Sequence, residues 1–316
     1  MQNSSIEWTD HTFNPWWGCM KVSEGCKNCY AEKQDNRYNH ENPHWGPNST
    51  RKTQSKQYWR MPFKWDLDAK QAGVKAKVFC ASMGDVFEDH PQLNELRIDL
   101  FYIIVNTPNL IWQLLTKRPE NILKMVPNAW LKNWPDNVWI GTSIESQPVA
   151  AQRIPFLLTV PAKVRFLSCE PLLGRIDLTD ISFTATNGSR FPSGFNAFNG
   201  NDEYLGFQAF GHKIDWVICG GESGHTERPL HIESARQLRD QCAKYGVPFF
   251  FKQWGDWVDL DQMPPHVKRD LEDNYIRAKS KVFHDGNNYY RFYKMGKTMA
   301  GALLDGFTHK NFPKTI

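Results

Sequence analysis

Six short apolar runs, each closed by polar or glycine residues and several followed by a segment with helical spacing, constrain this chain of 316 residues more than any other feature. They occupy 77–85, 110–118, 138–145, 163–170, 216–222 and 247–253. Continuous apolar runs of this length suit strands buried on both faces, as in a parallel sheet. Segments 91–105, 146–158 and 234–245 carry Leu, Ile and Ala at helical spacing, the last with Ser234 as a start and Gly246 as a stop. Repeated strand–helix units predict a parallel α/β fold. With a first strand placed just before Cys19 the count reaches seven, close to a TIM-type (β/α) barrel that is incomplete.

The rhythm divides the chain. Residues 1–255 read as the barrel, and 256–316 as a C-terminal extension with a β-hairpin at 281–293 turning near Asp285-Gly286. Segments 36–73 and 179–213 interrupt the barrel and read as inserted loops. A hydrophobic content of 41% with 23% charged residues is that of a globular protein. No basic-then-apolar leader opens the chain, and no stretch reaches the apolar length of a membrane span, so a soluble, cytoplasmic protein is expected. The net charge of +4 is mild, compatible with an anionic substrate but below the usual footprint of a dedicated nucleic-acid binder.

The polar residues of the runs gather at their C-terminal ends: Ser82, Asp85, Thr116, Lys117, Arg118, Ser143, Glu145, Glu170, Glu222, Lys252 and Gln253. In a parallel barrel that end carries the chemistry, although strands must also end in solvent somewhere. Three cysteines, Cys19, Cys26 and Cys29, follow the first strand in a turn-rich stretch and fall on the same face. Their spacing suits one metal centre with an open fourth position. From spacing alone, zinc completed by His11, His40 or His44 and an iron–sulfur cubane stand level. Cys80, Cys169, Cys219 and Cys242 lie in apolar runs and read as core. A catalytic mouth ringed by charges gives a structural zinc no reason to be there, and a cubane with one free iron a good one.

At this point the residues resemble a known group. A three-cysteine loop after the first strand of a partial barrel is similar to the radical S-adenosylmethionine superfamily. The whole chain resembles the phage and bacterial three-Cys-motif protein family, on Trp8-Thr9-Asp10, Asn14-Pro15-Trp16-Trp17-Gly18-Cys19, Gly25-Cys26-Lys27-Asn28-Cys29-Tyr30, Leu115-Thr116-Lys117-Arg118-Pro119, Ser168-Cys169-Glu170-Pro171-Leu172, Gly220-Gly221-Glu222-Ser223-Gly224 and Phe251-Lys252-Gln253-Trp254-Gly255. The first gap, six residues, departs from the superfamily's usual three, and Asn28 stands where an aromatic usually precedes the last cysteine.

The resemblance implies a [4Fe–4S] cluster on Cys19, Cys26 and Cys29, S-adenosyl-L-methionine on its open iron, and a 5′-deoxyadenosyl radical that takes a hydrogen atom from the substrate. It implies a cofactor shell of Tyr30, Ser82, Asp85, Lys117 (or Arg118), Ser143 and Glu145, with Asp85 facing the methionine amine, the basic residue its carboxylate, and Ser143 and Glu145 the ribose. Glu170, Glu222 and Lys252 are the candidate catalytic groups. A reductant such as flavodoxin or ferredoxin is implied as partner, and modification or repair of DNA or RNA as the task. The mixed basic and aromatic loop with Arg51, Lys52, Lys56, Trp59 and Arg60 is the candidate nucleic-acid contact, weighed against a solvated surface loop. The competing readings are a zinc-stabilised nucleic-acid-binding or scaffold protein, and a barrel hydrolase using Glu145, Glu170 and Glu222, which leaves the cysteines unexplained.

Overall fold

The computed structural model of the protein describes residues 4–184, 190–202, 207–208, 210–224, 226–284 and 289–314. The six apolar runs and a short strand ahead of them become β1 (His11–Thr12), β2 (Ala76–Cys80), β3 (Leu110–Thr116), β4 (Val138–Ser143), β5 (Arg165–Cys169), β6 (Trp216–Gly220) and β7 (Phe249–Gln253). They pair in chain order, every pairing parallel, in one seven-stranded sheet. The sheet curls into a half-barrel, the partial TIM-type α/β architecture expected from the rhythm. β1 ends seven residues before Cys19 (a separate short strand, Trp16–Trp17, pairs antiparallel with Lys52–Thr53).

Alternation along the strands sorts side chains onto two faces. Val78, Cys80, Trp112, Leu114, Ile140, Leu167, Cys169, Val217, Cys219 and Phe251 face the helices α1 (Tyr30–Tyr38), α2 (Met61–Ala72), α3 (Leu93–Val105), α4 (Gln147–Leu158) and α5 (Ile232–Lys244), and share one core cluster with residues of α2 to α5. Cys242 lies in the same cluster, so the four cysteines outside the loop are core, as read. Phe79, Ile111, Trp139, Phe166, Trp216, Ile218 and Phe250 form a second cluster that contains no helix residue, and is therefore the concave interior. Trp8 closes this floor from the N-terminal side, 4.6 Å from Phe79 and edge-on to Trp216 at 6.2 Å. Gly141 makes room for it, since a Cβ there would stand 2.5 Å from the Phe166 ring.

Three regions depart from the expected pattern. About a third of the loop expected at 36–73 is α2, whose buried Pro62, Trp65 and Ala69 recur at helical spacing among exposed charges, and which stops at Gly73 with φ 66°. Segment 179–213 includes a hairpin of Ile181–Thr184 with Arg190–Phe195, so a β-hairpin stands where the other crossovers carry helices. Beyond 255 lies a three-stranded antiparallel sheet of β8 (Trp257–Asp259), β9 (Ser280–His284) and β10 (Tyr289–Lys294), ordered β8-β10-β9. β9 and β10 are the predicted hairpin, and its turn at Asp285-Gly286 lies outside the described residues.

The chain then returns to the barrel. Phe251 N–H donates to His309 O at 2.8 Å, Asn311 N–H to Phe249 O at 3.2 Å, and Phe312 packs on Trp216 and Phe250. The open edge of β7 is thereby covered, as exposed sheet edges generally must be. Among the described residues no helix is long and apolar enough to cross a membrane.

Candidate active site at the strand ends

Asn14, just beyond β1, fixes how the chain leaves the barrel. Its Oδ1 accepts from the Ser82 and Met83 amides at 2.7 and 3.0 Å, and its own amide donates to Tyr58 Oη at 2.9 Å. The chain then runs alongside the loop after β2, with Gly18 N–H donating to Met83 O at 3.0 Å. Gly18 has φ 115°, and a Cβ there would lie 2.4 Å from His44 O, so only glycine fits. Cys19 follows. Cys26 ends a 3-10 turn (Glu24–Cys26), and Cys29 caps α1 at the helix end where negative charge is stabilised. All three cysteines are free thiols.

The strand-end residues converge on this loop. Arg118, after β3, lies 3.6 Å from Cys19 Sγ and donates to Met20 O at 2.7 Å. Asp85 holds Arg118 at 2.9 Å and also accepts from Thr116 Oγ1 (2.6 Å), Phe87 N and Lys117 N (both 3.0 Å). Glu145, after β4, accepts from Gly25 N at 3.0 Å and from Arg153 of α4 at 3.2 Å. Glu222, after β6, accepts from Asn28 Nδ2 at 2.9 Å and from Arg228 Nη2 at 2.7 Å, while Arg228 also donates to Glu24 O at 3.1 Å. Tyr30, more than half exposed, donates to Ser82 O at 3.0 Å. The cysteine loop is thus fastened to the ends of four strands, β2, β3, β4 and β6.

Electrostatics follow from these contacts. Burial would raise the Asp85 carboxyl, but Arg118 and three further donors outweigh it and hold it below the usual range. Burial likewise opposes ionisation of Glu222, and Arg228 with Asn28 reverses the balance. The Cys19 thiol is pushed up to about 12 by burial, Asp85 adding to the rise and Arg118 opposing it. A second buried pair backs the first: Glu88 takes Arg51 on both oxygens at 2.9 Å and stands 3.6 Å from Arg118.

Several expected roles change. Asp85 and Glu145 are buried and committed to donors of their own chain, as is Glu222, so these three hold the loop. Arg118 is likewise removed from carboxylate binding by Asp85 and Glu88. The groups left facing the mouth are Lys117, whose Nζ reaches Ser143 Oγ at 3.3 Å, and the Glu170–Lys252 pair at 3.1 Å. No carboxylate pairs with Lys117 among the described residues. Below them Gln113, fully buried on the interior face, leaves its Oε1 without a partner among the described residues.

Arg51 is corrected as a nucleic-acid contact, because it is 6% exposed and bound to Glu88 and the carbonyls of His44, Ser49 and Gly46. Trp59 is half-buried and meets Phe13 in a T-shaped contact at 5.8 Å. Lys52 lies over Trp17, and Lys52, Lys56 and Arg60 are exposed.

Sequence reasoning missed Asn14, Arg153 and Arg228. Arg153 left a trace, as a charge on the apolar face of α4, where it is now 3% exposed. The histidines proposed for zinc stand otherwise engaged or apart. His11 stacks on Trp65 at 4.5 Å, His40 is exposed, and His44 is bound to Asp35 at 2.8 Å. Among the described residues no group of three or more His, Cys, Asp or Glu side chains is placed to hold a metal ion.

Comparison with curated proteins and with solved structures finds no match. A family described as a protein of unknown function, DUF5131, matches residues 3–313, nearly the whole chain. The chain with its three-cysteine loop and half-barrel belongs to this DUF5131 family.

Proposed function

We propose that the protein is a radical S-adenosylmethionine enzyme whose cluster is held by Cys19, Cys26 and Cys29. The observation that carries this reading is the fastening of the cysteine loop across the C-terminal ends of the parallel strands, by Arg118, Glu145 and Glu222. A loop needed only for a structural ion has no use for that position. The donor set is chemically suited to the group: Cys19, Cys26 and Cys29 are three free thiols on one loop, and three thiolates would hold a cubane with one iron left open. When bound, the cluster and S-adenosylmethionine supply a carbon radical that takes a hydrogen atom from the substrate.

The chain's own groups divide the remaining work. Lys117, a cation without a carboxylate partner among the described residues, would hold the carboxylate of the methionine part, with Ser143 steering its Nζ. Glu170 and Lys252 are the pair available to move a proton at the mouth. The aromatic floor from Trp8 to Phe250 excludes water from below. Asp85 positions Arg118 and Lys117 through its hydrogen bonds.

The test is anaerobic reconstitution with iron and sulfide, followed by metal analysis and an assay for reductive cleavage of S-adenosylmethionine. The expected protein is brown, carries about four irons and yields 5′-deoxyadenosine; Cys26→Ala loses both properties. A colourless protein with one zinc per chain overturns the reading, and so does cleavage that survives Cys26→Ala.

A further inference from the structure

Segment 275–297 carries Arg277, Lys279, Lys281, Arg291, Lys294 and Lys297 against one acid, Asp285. Its net charge of +5 exceeds the +4 of the whole chain, so everything outside it is close to neutral. The fold concentrates this charge on the C-terminal sheet. A cleft of about 520 Å³ opens between that sheet and the loop after β6, lined by Thr226, Glu227, Trp257, Lys279, Lys281 and Lys294, with Ser280.

The cleft is built rather than incidental. Trp257 is 4% exposed and forms its floor, with Lys281 Nζ 4.6 Å above the ring. Glu227 is buried, accepts from Trp257 Nε1 at 3.1 Å and pairs with Lys294, which neutralises that lysine and fixes floor to wall. Its other oxygen, Oε2, is buried and has no partner among the described residues. Lys279 and Lys281 are exposed and have no carboxylate partner among the described residues.

Both lysines lie on β9 or at its start, and β9 is the edge strand of its sheet. Alternation puts Lys281 and Phe283 on the same side, about 6.7 Å apart along the strand. Phe283 is 41% exposed and held edge-on by Phe292 at 5.5 Å, which leaves it a free face. The cleft adjoins the cysteine loop directly, since Thr226 O accepts from Asn28 Nδ2 at 2.7 Å and Arg228 reaches Glu24.

We propose that this cleft binds single-stranded nucleic acid. Lys279 and Lys281 take successive phosphates and Phe283 stacks a base, while Glu227 holds Trp257 and Lys294 in place beneath them. A duplex keeps its bases stacked on one another and offers Phe283 no face. A strand lying here passes beside the loop that carries Cys26 and Cys29. The binding is separate from the radical chemistry proposed above, and is measured without cofactor.

The experiment is fluorescence anisotropy of labelled mixed-sequence 12-mers, single-stranded DNA, single-stranded RNA and duplex, titrated with the full chain over a salt series. Both single strands, or one of them, are expected to bind at least fivefold more tightly than duplex. Lys279→Ala/Lys281→Ala is expected to weaken that binding about tenfold and to flatten the salt slope by about 1.4, at about 0.7 per lost phosphate contact. Lys279→Ala alone, which breaks no side-chain hydrogen bond or ion pair among the described residues, is expected to show about half that slope change. Lys52→Ala/Lys56→Ala/Arg60→Ala tests the other basic surface and is expected to stay within twofold. Absence of single-strand binding at low salt, equal affinity for duplex, or a larger loss in the Lys52/Lys56/Arg60 variant than in the Lys279/Lys281 variant overturns the proposal.

Discussion

At the residue scale, the mouth of the half-barrel shows charged side chains doing positional work. Gly25 presents its amide to Glu145, and a Cβ there would stand 2.9 Å from the Glu145 carboxyl carbon. Gly25→Ala must push the loop off that carboxylate. A loss of about 1–3 kcal/mol is expected in chemical denaturation, with weaker retention of iron after reconstitution. Unchanged stability and full iron content would mean that the Glu145 contact does not set the loop. Asp85 offers a pH test. Its folded-state carboxyl is held below the usual value, so its contribution is fully present above the unfolded pKa of about 4 and is lost as pH falls through the depressed value. Asp85→Asn breaks a buried pair with Arg118, at a cost of about 3–5 kcal/mol at pH 7. The gap between wild type and variant is expected to close as pH drops below about 4; a gap that stays constant down to pH 2 would place the stabilisation elsewhere.

At the element scale, strands were legible and their side chains' partners were not. The runs gave six of the seven sheet strands because a strand buried on both faces needs nothing but its own apolar residues to declare itself. α2 escaped notice because only Pro62, Trp65 and Ala69 of its face are buried, and its remaining residues read as a polar loop. Arg228 escaped because its meaning depends on Glu222 and Glu24, the latter some 200 residues away, and no local pattern encodes that pairing. The same holds for Arg51, which reads as a surface cation until Glu88 is placed beside it. The β7 edge adds a test at this scale. Deleting residues from 309 onward removes the backbone partners of Phe249 and Phe251 and strips Phe312 from Trp216. The shortened chain is expected to melt several degrees lower and to aggregate on concentration, read by light scattering. A monodisperse truncated protein with an unshifted melting temperature would show that the tail only rests on the edge.

At the scale of the whole molecule, the parallel half-barrel is followed by a separate antiparallel sheet that packs back onto it. The C-terminal sheet leans on the loop after β6 through Trp257 and Glu227, and Arg236 and Arg239 of α5 both grip Asp305 in the following segment. The cysteine loop touches the strand ends through Arg118, Glu145 and Glu222, and through Asn28 and Thr226 the loop after β6 on which that sheet leans. Composition alone hid the basic region, because a net +4 spread over 316 residues looks mild. The loop around Arg51 reads from sequence as the basic contact, and the folded chain buries that arginine against Glu88.

The stitching of the loop also limits how such a chain can drift. Gly25 with Glu145, Asn28 with Glu222, and Glu24 with Arg228 are contacts between positions more than 100 residues apart. Loss of Asn28 or Arg228 leaves the buried Glu222 short of a donor, and a side chain at Gly25 crowds Glu145, whereas Glu24 is met at its backbone carbonyl, which any residue supplies. Across related chains Asn28 and Arg228 should therefore be inherited with Glu222, and Gly25 with Glu145, with intermediates that carry only half of such a set rare. The strand-end carboxylates would then vary in step with the loop and stay fixed through changes of substrate.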